Sequence, residues 1–397
     1  MMLTLPPELE ALRREVATFV AERVLPREDA IAREDRAGRG ETLAALRAEA
    51  RAAGLWTPHL PRAWGGLELG TLGMAALFRE MGRSPVGPSV FNCDAPDQGN
   101  MDLLLLAGDE AQQARYLRPL CAAELTSAFC MTEPAPGAGA DPSNLRTRAA
   151  PDGGGWRLDG HKWYATGAHA ASFLIVVART SEDPRRGATL FLVERDAPGV
   201  EVVREIPTLA DPLLAHREVE LRFHGVRLGP EAVLGGVGEG FRLAQRRLVP
   251  ARLTHCARWL GLADRALQAC REYLAERVSF GRALGEHERV QDLIYRGVVG
   301  VHAGNLMTFH CATLLEQGRE REARAYASLT KEQVANTLCQ VLDDAIQMHG
   351  ARGYSDDLPF ARWYRYARAA RIADGPDELH RWVVARAFLG GELELLA

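Results

Sequence analysis

The chain reads as an α+β protein whose helices and strands are segregated along the sequence, on three observations. Apolar residues recur at helical spacing through roughly the first 125 residues. Short strand-like segments separated by Gly, Pro and Asp clusters then run from about residue 127 to about 235. Long amphipathic segments follow from Gly240 to the end. Helix, then sheet, then helix, without βαβ alternation, implies separate layers. The expected domains are a helical domain (1–125), a β-barrel or sandwich domain (126–237) and a helical bundle (238–397).

In order, Leu9, Leu12, Val16, Phe19, Val20 and Val24 share a helical face, and Pro26 is expected to close that helix. Pro58, Pro61, Gly65 and Gly66 mark a loop, and helical text returns over 75–81 and 111–120. In the middle region, 156–166 follows the turn Pro151-Asp-Gly-Gly-Gly and is expected as a strand. Segments 173–178 and 189–193 are continuous apolar runs, and Val219, Leu221 and Phe223 alternate with polar residues. The last region is interrupted at 279–285, Gly318, 350–353 and Gly375-Pro376.

Composition excludes several classes. At 397 residues the chain is too long for one simple core, and 47% hydrophobic with 25% charged residues is not the composition of a disordered protein. Net charge of -4 with pI near 6.3 argues against a nucleic-acid partner held by phosphate contacts. No apolar run approaches the ~18 residues of a membrane span. The start, MMLTLPPELEALRREV, is acidic and lacks a signal-peptide pattern, so no membrane partner and a cytoplasmic location are expected. Seven cysteines without a CxxC pair suit a reduced protein with no metal knuckle. Basic charge is almost all Arg; Lys162 and Lys331 are the only lysines. GxGxxG after a strand, GxxxxGK[ST], HExxH and GxSxG are all missing, which disfavours Rossmann, P-loop, zincin and α/β-hydrolase chemistry.

Five stretches could carry chemistry. Phe129-Cys-Met-Thr-Glu-Pro-Ala-Pro-Gly-Ala-Gly-Ala-Asp141 is an irregular loop whose glycines let backbone approach a ligand, or simply a surface loop. In Gly160-His-Lys-Trp-Tyr-Ala-Thr-Gly167, Lys162, Tyr164 and Thr166 would share a strand face suited to a flat heteroaromatic ring, or fill a β core. Arg277-Val-Ser-Phe-Gly281 ends a helix with a cation for phosphate or for helix carbonyls. Gln347-Met-His-Gly-Ala-Arg-Gly-Tyr354 reads locally as a helix capped by glycine. Asp374, in Ile372-Ala-Asp-Gly-Pro-Asp-Glu-Leu-His380, would ordinarily be a helix N-cap.

Taken in order and spacing, the five stretches resemble the acyl-CoA dehydrogenase family over nearly the whole chain. Gly54-Leu-Trp, Pro61-Arg-Ala-Trp-Gly-Gly66, Glu80-Met-Gly-Arg83 and Val226-Arg-Leu-Gly-Pro add to the likeness. The resemblance is nearest to the branch with Ala-Asp-Gly-Pro-Asp-Glu at the base motif. It implies a C-terminal four-helix bundle, a homodimer or homotetramer, and FAD between the β domain and the bundle. It also implies acyl-CoA as substrate and an electron-transfer flavoprotein as electron acceptor. Phe129, Met131, Thr132 and Gly137 would line the flavin, Tyr164 would stand where a Trp packs on it, and Thr166 would bond its N5. Arg277, Phe280, Gln347, Gly350 and Ala351 would serve the cofactor of a neighbouring subunit, and Pro376 and Glu378 would join the cofactor contacts beside the base.

The implied reaction takes an α proton to a carboxylate while the flavin accepts a hydride from the β carbon. Asp374 is the implied base, with its pKa expected to be raised by burial, and Arg252 faces it. Relatives of the isovaleryl and long-chain types carry the base just before that Arg, but here the residue is Ala251. Further departures are Asp in place of Glu at 374, Ala140 before Asp141, and Glu288 where Gln is common. Pro376 has no N–H to offer a thioester carbonyl, so another N–H serves or polarisation is weaker. A flavoprotein oxidase of the same fold, or a non-catalytic acyl-CoA binder, remains open on these residues.

Overall fold

The structure is a computed structural model describing residues 5–183, 186–210 and 217–393. Outside it lie the first four residues of the acidic N-terminal segment, 184–185 and 211–216 of the β domain, and the last four of the bundle domain. The apolar face of Val16 and Val20 does build a helix, α1 (Pro7–Phe19), but Pro26 does not end the helical run. The chain passes through a π turn (Val20–Val24) and a 3-10 turn (Leu25–Arg27) into α2 (Glu28–Arg36). Pro26 sits in the first turn of a new segment, where its missing N–H leaves nothing unpaired. Then follow α3 (Glu41–Ala52), α4 (Gly70–Met81), α5 (Gly87–Val90), α6 (Asp97–Ala107), α7 (Glu110–Gln112) and α8 (Arg118–Cys121).

The β domain holds β1 (Ser127–Cys130), β2 (Arg148–Asp152), β3 (Gly155–Lys162), β4 (Phe173–Arg179), β5 (Ala188–Glu194), β6 (Val200–Glu205), β7 (Val219–Leu228) and β8 (Val233–Leu234). The hydrogen-bonded path is β6-β7-β3-β2-β4-β5-β8, with β1 added parallel to β4. Among the described residues only the pair Arg148/Arg179 links β2 to β4, so the sheet bends there and folds its two halves over one core. Leu158, Leu174, Val176, Phe191, Leu221 and Phe223 meet in it. The opposite faces of β4 and β5, with Phe173, Ile175 and Leu192, pack on Met101, Leu104 and Leu117 of the N-terminal helices. Burial on both sides explains the uninterrupted apolar runs.

One strand ends early. β3 stops at Lys162, and Tyr164 has φ 50°, so Lys162, Tyr164 and Thr166 do not share a strand face. The reason lies in the backbone: Trp163 N donates to Thr132 O at 3.1 Å and Tyr164 turns left-handed, so the alternation is lost although bonding to β7 resumes with Ala165 N to Val219 O at 3.1 Å.

The last region contains α9 (Gly240–Glu276), a short hairpin of β9 (Val278–Ser279) and β10 (Arg282–Ala283), α10 (Glu288–Glu316) and α11 (Glu320–His349). α12 (Ala351–Tyr354), α13 (Phe360–Arg368) and α14 (Asp377–Leu389) complete it. Leu260, Ala263, Val334, Leu338, Leu342, Phe360 and Trp363 form the bundle core. By length and mean composition α10 alone among the described helices is apolar enough to cross a membrane, although polar residues such as Asp292 and Arg296 interrupt it, so the expectation of no continuous apolar run stands. In this fold it packs on α9 and α11, with Tyr295, Val298, Val299 and Leu306 left exposed along one stripe.

Candidate active site

Asp374 lies between a 3-10 turn (Ala369–Arg371) and α14. Its backbone is left-handed (φ 54°), which Asp tolerates better than most residues. Gly375 follows at φ 111°, and a Cβ there would stand 2.8 Å from Nε2 of His380. Only glycine fits. The N-cap of α14 is Pro376, so Asp374 caps no helix; its carboxylate meets Nε2 of His255 at 3.2 Å instead. Two cations hold the loop by its carbonyls. Arg252 Nε donates to Asp374 O at 3.1 Å, and Lys331 Nζ donates to Gly375 O at 2.7 Å. Two residues beyond Gly375, Asp377 accepts from Arg371 Nε at 2.7 Å and from Asn336 Nδ2 at 3.1 Å.

Burial alone pushes the Asp374 carboxyl up, the direction expected from sequence. The His255 hydrogen bond and the positive charges of Arg247 and Arg252 outweigh it and hold the group well below the ordinary carboxylate range. The expectation of a raised pKa is therefore corrected: three basic side chains converge on one carboxylate. Arg252 acts through charge and through the main chain of the base, since its Nε bonds the carbonyl.

The loop after β1 is closed by a buried buckle. Glu133 accepts from Lys162 Nζ at 2.8 Å and from the N–H groups of Thr147, Arg146 and Ala138 at 2.8, 2.7 and 3.2 Å. Gly137 lets the loop fold over it, because a Cβ there would fall 2.5 Å from Glu133 Oε2. Phe129 leaves β1 with its ring under Arg247, whose Cζ is 4.4 Å from the centroid. Thr132 O accepts from Trp163 N at 3.1 Å, which sets the loop beside Tyr164. Tyr164 is 47% exposed. The Thr166 hydroxyl shares its single proton between the Glu218 oxygens at 3.0 and 3.1 Å, so Glu218 competes with any ligand for it.

Arg277, Phe280, Gln347, Gly350 and Ala351 gather elsewhere, at one end of the bundle, and all are exposed. Stacking of Tyr273 on His349 (4.3 Å between centroids) brings the ends of α9 and α11 together there. Phe280 sits at the β9–β10 turn with φ 50°, which leaves its ring 96% exposed. Pro376 and Glu378 stay with the base at the start of α14, Glu378 exposed.

His255, Arg247, Glu133 and the role of Lys331 escape sequence reasoning. A signal existed: in a chain whose basic residues are almost all Arg, both lysines are fully buried and each bonds a carbonyl of a site loop. A compact ammonium fits where a guanidinium fork does not. Beside Arg247, burial raises the carboxyl of Asp97 to about 6 and that of Asp102 from 3.8 to about 7. A carboxyl raised by folding binds more protons in the native state, so stability falls as pH rises from about 4 toward 7. Asp102→Asn keeps an acceptor for Gln98 and removes that loss. Its Tm is expected to gain on the parent between pH 5 and pH 8; a constant difference would show that Asp102 titrates normally.

The donor set suits FAD: an exposed ring at Tyr164 and another at Phe280, hydroxyls at Thr132 and Thr166, and an exposed guanidinium at Arg277 for phosphate. With a carboxylate on a bundle loop, this fold and site define a flavoprotein oxidoreductase. Residues 6–124, 128–223 and 238–389 match the N-terminal, middle and C-terminal domain models of acyl-CoA dehydrogenases. The chain belongs to the acyl-CoA dehydrogenase family. It is 39% identical over 357 residues to the Mycobacterium tuberculosis protein named "Probable acyl-CoA dehydrogenase FadE2", covering 89% of this chain and 86% of that one. It is 34% identical over 391 residues to mouse acyl-CoA dehydrogenase family member 11, covering 95% of this chain but only 50% of that protein. The chain thus spans about half the length of that relative. A glutaryl-coenzyme A dehydrogenase solved with glutaryl-CoA is 28% identical, with a TM-score of 0.86 over 98% of this chain and 97% of that one.

Proposed function

We propose that the chain catalyses α,β-dehydrogenation of an acyl-CoA thioester to the trans-2-enoyl-CoA, with Asp374 as the base and electrons passing to an electron-transfer flavoprotein. The supporting observation is the Asp374 carboxylate, kept ionised on a loop whose carbonyls are pinned by Arg252 and Lys331. Bound FAD supplies the hydride acceptor. Asp374 takes the α proton, and its fixed loop keeps the carboxylate from turning aside. Among the described residues neither the N–H of Asp374 nor that of Gly375 donates to a backbone carbonyl, and we assign this pair to polarise the thioester where Pro376 offers no donor. Anaerobic titration of the holoprotein with a panel of acyl-CoAs tests this reading. Bleaching of the flavin supports it; an unbleached flavin with every acyl-CoA overturns it.

The exposed cluster around Arg277 and the apolar stripe on α10 support a homo-oligomer in which Arg277, Phe280 and Gln347 reach the FAD of a neighbouring copy. Charge-assisted phosphate bonds contribute roughly 1.5–3 kcal/mol each. Arg277→Ala is therefore expected to weaken FAD binding by about 10- to 100-fold, read by cofactor release on dilution. A holoprotein that stays monomeric in ultracentrifugation would end this assignment.

A further inference from the structure

We infer that His255 is a positioning residue for the reaction: a neutral imidazole that donates from Nε2 to the Asp374 carboxylate and orients it toward the α proton. This rests on the reading of Asp374 as base. α9 places Arg252, His255 and Arg258 at i, i+3 and i+6, along one face beneath the Asp374 loop. A guanidinium carries only donors, and Nη2 of Arg258 bonds Nδ1 of His255, so Nδ1 is the bare nitrogen. The proton is then on Nε2, 3.2 Å from Oδ2 of Asp374.

The ring cannot readily exchange this arrangement for another. Arg258 is buried and paired with Asp94, and the imidazole stacks on Trp259 with planes 18° apart. A second proton would sit on Nδ1, against the guanidinium; burial and Arg258 both push His255 below its ordinary value. His255 therefore faces Arg258, Asp94 and Asp374, whereas Asp374 faces His255, Arg247, Arg252, Lys331 and His380. An Nε2–H donor favours the ionised base over the protonated one, because its hydrogen bond to a carboxylate is the stronger. His255 thus keeps the base ready before substrate arrives and costs it some basicity.

The test uses the FAD-loaded protein with His255→Leu, which removes the donor, and His255→Gln, which keeps an N–H of similar reach. Flavin reduction by acyl-CoA falls as pH drops through the base pKa. Loss of the donor raises that pKa, so His255→Leu should move the acid limb up by about one pH unit or more, from below the range in which the parent keeps its FAD into that range, with His255→Gln returning it toward the parent. Independently, 15N NMR of histidine-labelled parent protein without substrate should show His255 protonated at Nε2 alone. An unmoved limb in a folded Leu variant, or a proton on Nδ1, would overturn the inference, and the NMR result stands even if Leu prevents folding. If instead Asp374→Asn turns over at the parent rate, the base assignment itself has failed; an inactive Asp374→Asn with an unmoved His255→Leu limb removes only His255.

Discussion

Asp374→Asn is expected to retain FAD and bind acyl-CoA while flavin reduction slows by about 10²–10⁴-fold, the usual range for loss of a general base. Asparagine preserves the size and the backbone of the loop, where Arg252 and Lys331 hold main-chain oxygens and not the carboxylate. Binding and chemistry should therefore separate. Stopped-flow reduction of the flavin reads the chemistry, and equilibrium binding of a non-reducing acyl-CoA analogue reads the affinity. Ala251 stands immediately before Arg252 on α9, buried, with no group to accept a proton. Glu placed there in an Asp374→Ala background is expected to restore part of the reduction. Parent-rate turnover by Asp374→Asn would leave residue 374 as a turn residue and nothing more.

The second large effect is on the β-domain loop. Among the described residues, Lys162→Met removes the only cation bonded to a carboxylate that is itself buried among three backbone N–H groups. Burial would raise the Glu133 carboxyl, and Lys162, helped by hydrogen bonding from Thr147, holds it down. Stranding that charge is expected to cost about 3–5 kcal/mol, measured by chemical denaturation. Adding Glu133→Gln should recover part of the loss, since a neutral amide no longer needs a cation. A loss below about 1 kcal/mol in the single variant would mean that the backbone donors alone satisfy Glu133.

Local pattern was legible wherever the physics was local. Alternation at Val219, Leu221 and Phe223 became β7, and the apolar run after Ser172 became β4 because that strand is covered on both faces. Pro26 misled, since a proline ends a helix only when the next turn has no use for a residue without an N–H. The strand expected through Thr166 also failed. Its pattern continues past Lys162, but Trp163 N is taken by Thr132 O of another segment and Tyr164 turns left-handed, which breaks the alternation.

By itself the sequence determined the segregated α+β architecture and the order of the five motifs, because periodicity, turn chemistry and motif spacing are properties of neighbours in the chain; Asp374 entered as the proposed base only through the family resemblance those motifs carry. Which group touches Asp374 was decided only by the tertiary structure. His255, Arg247 and Arg252 reach it from α9, Lys331 holds its loop from α11, and the direction of its pKa is the sum of those charges against burial. Electrostatic interaction depends on distance through space and on exclusion of water, and neither exists until helices far apart in sequence have packed together.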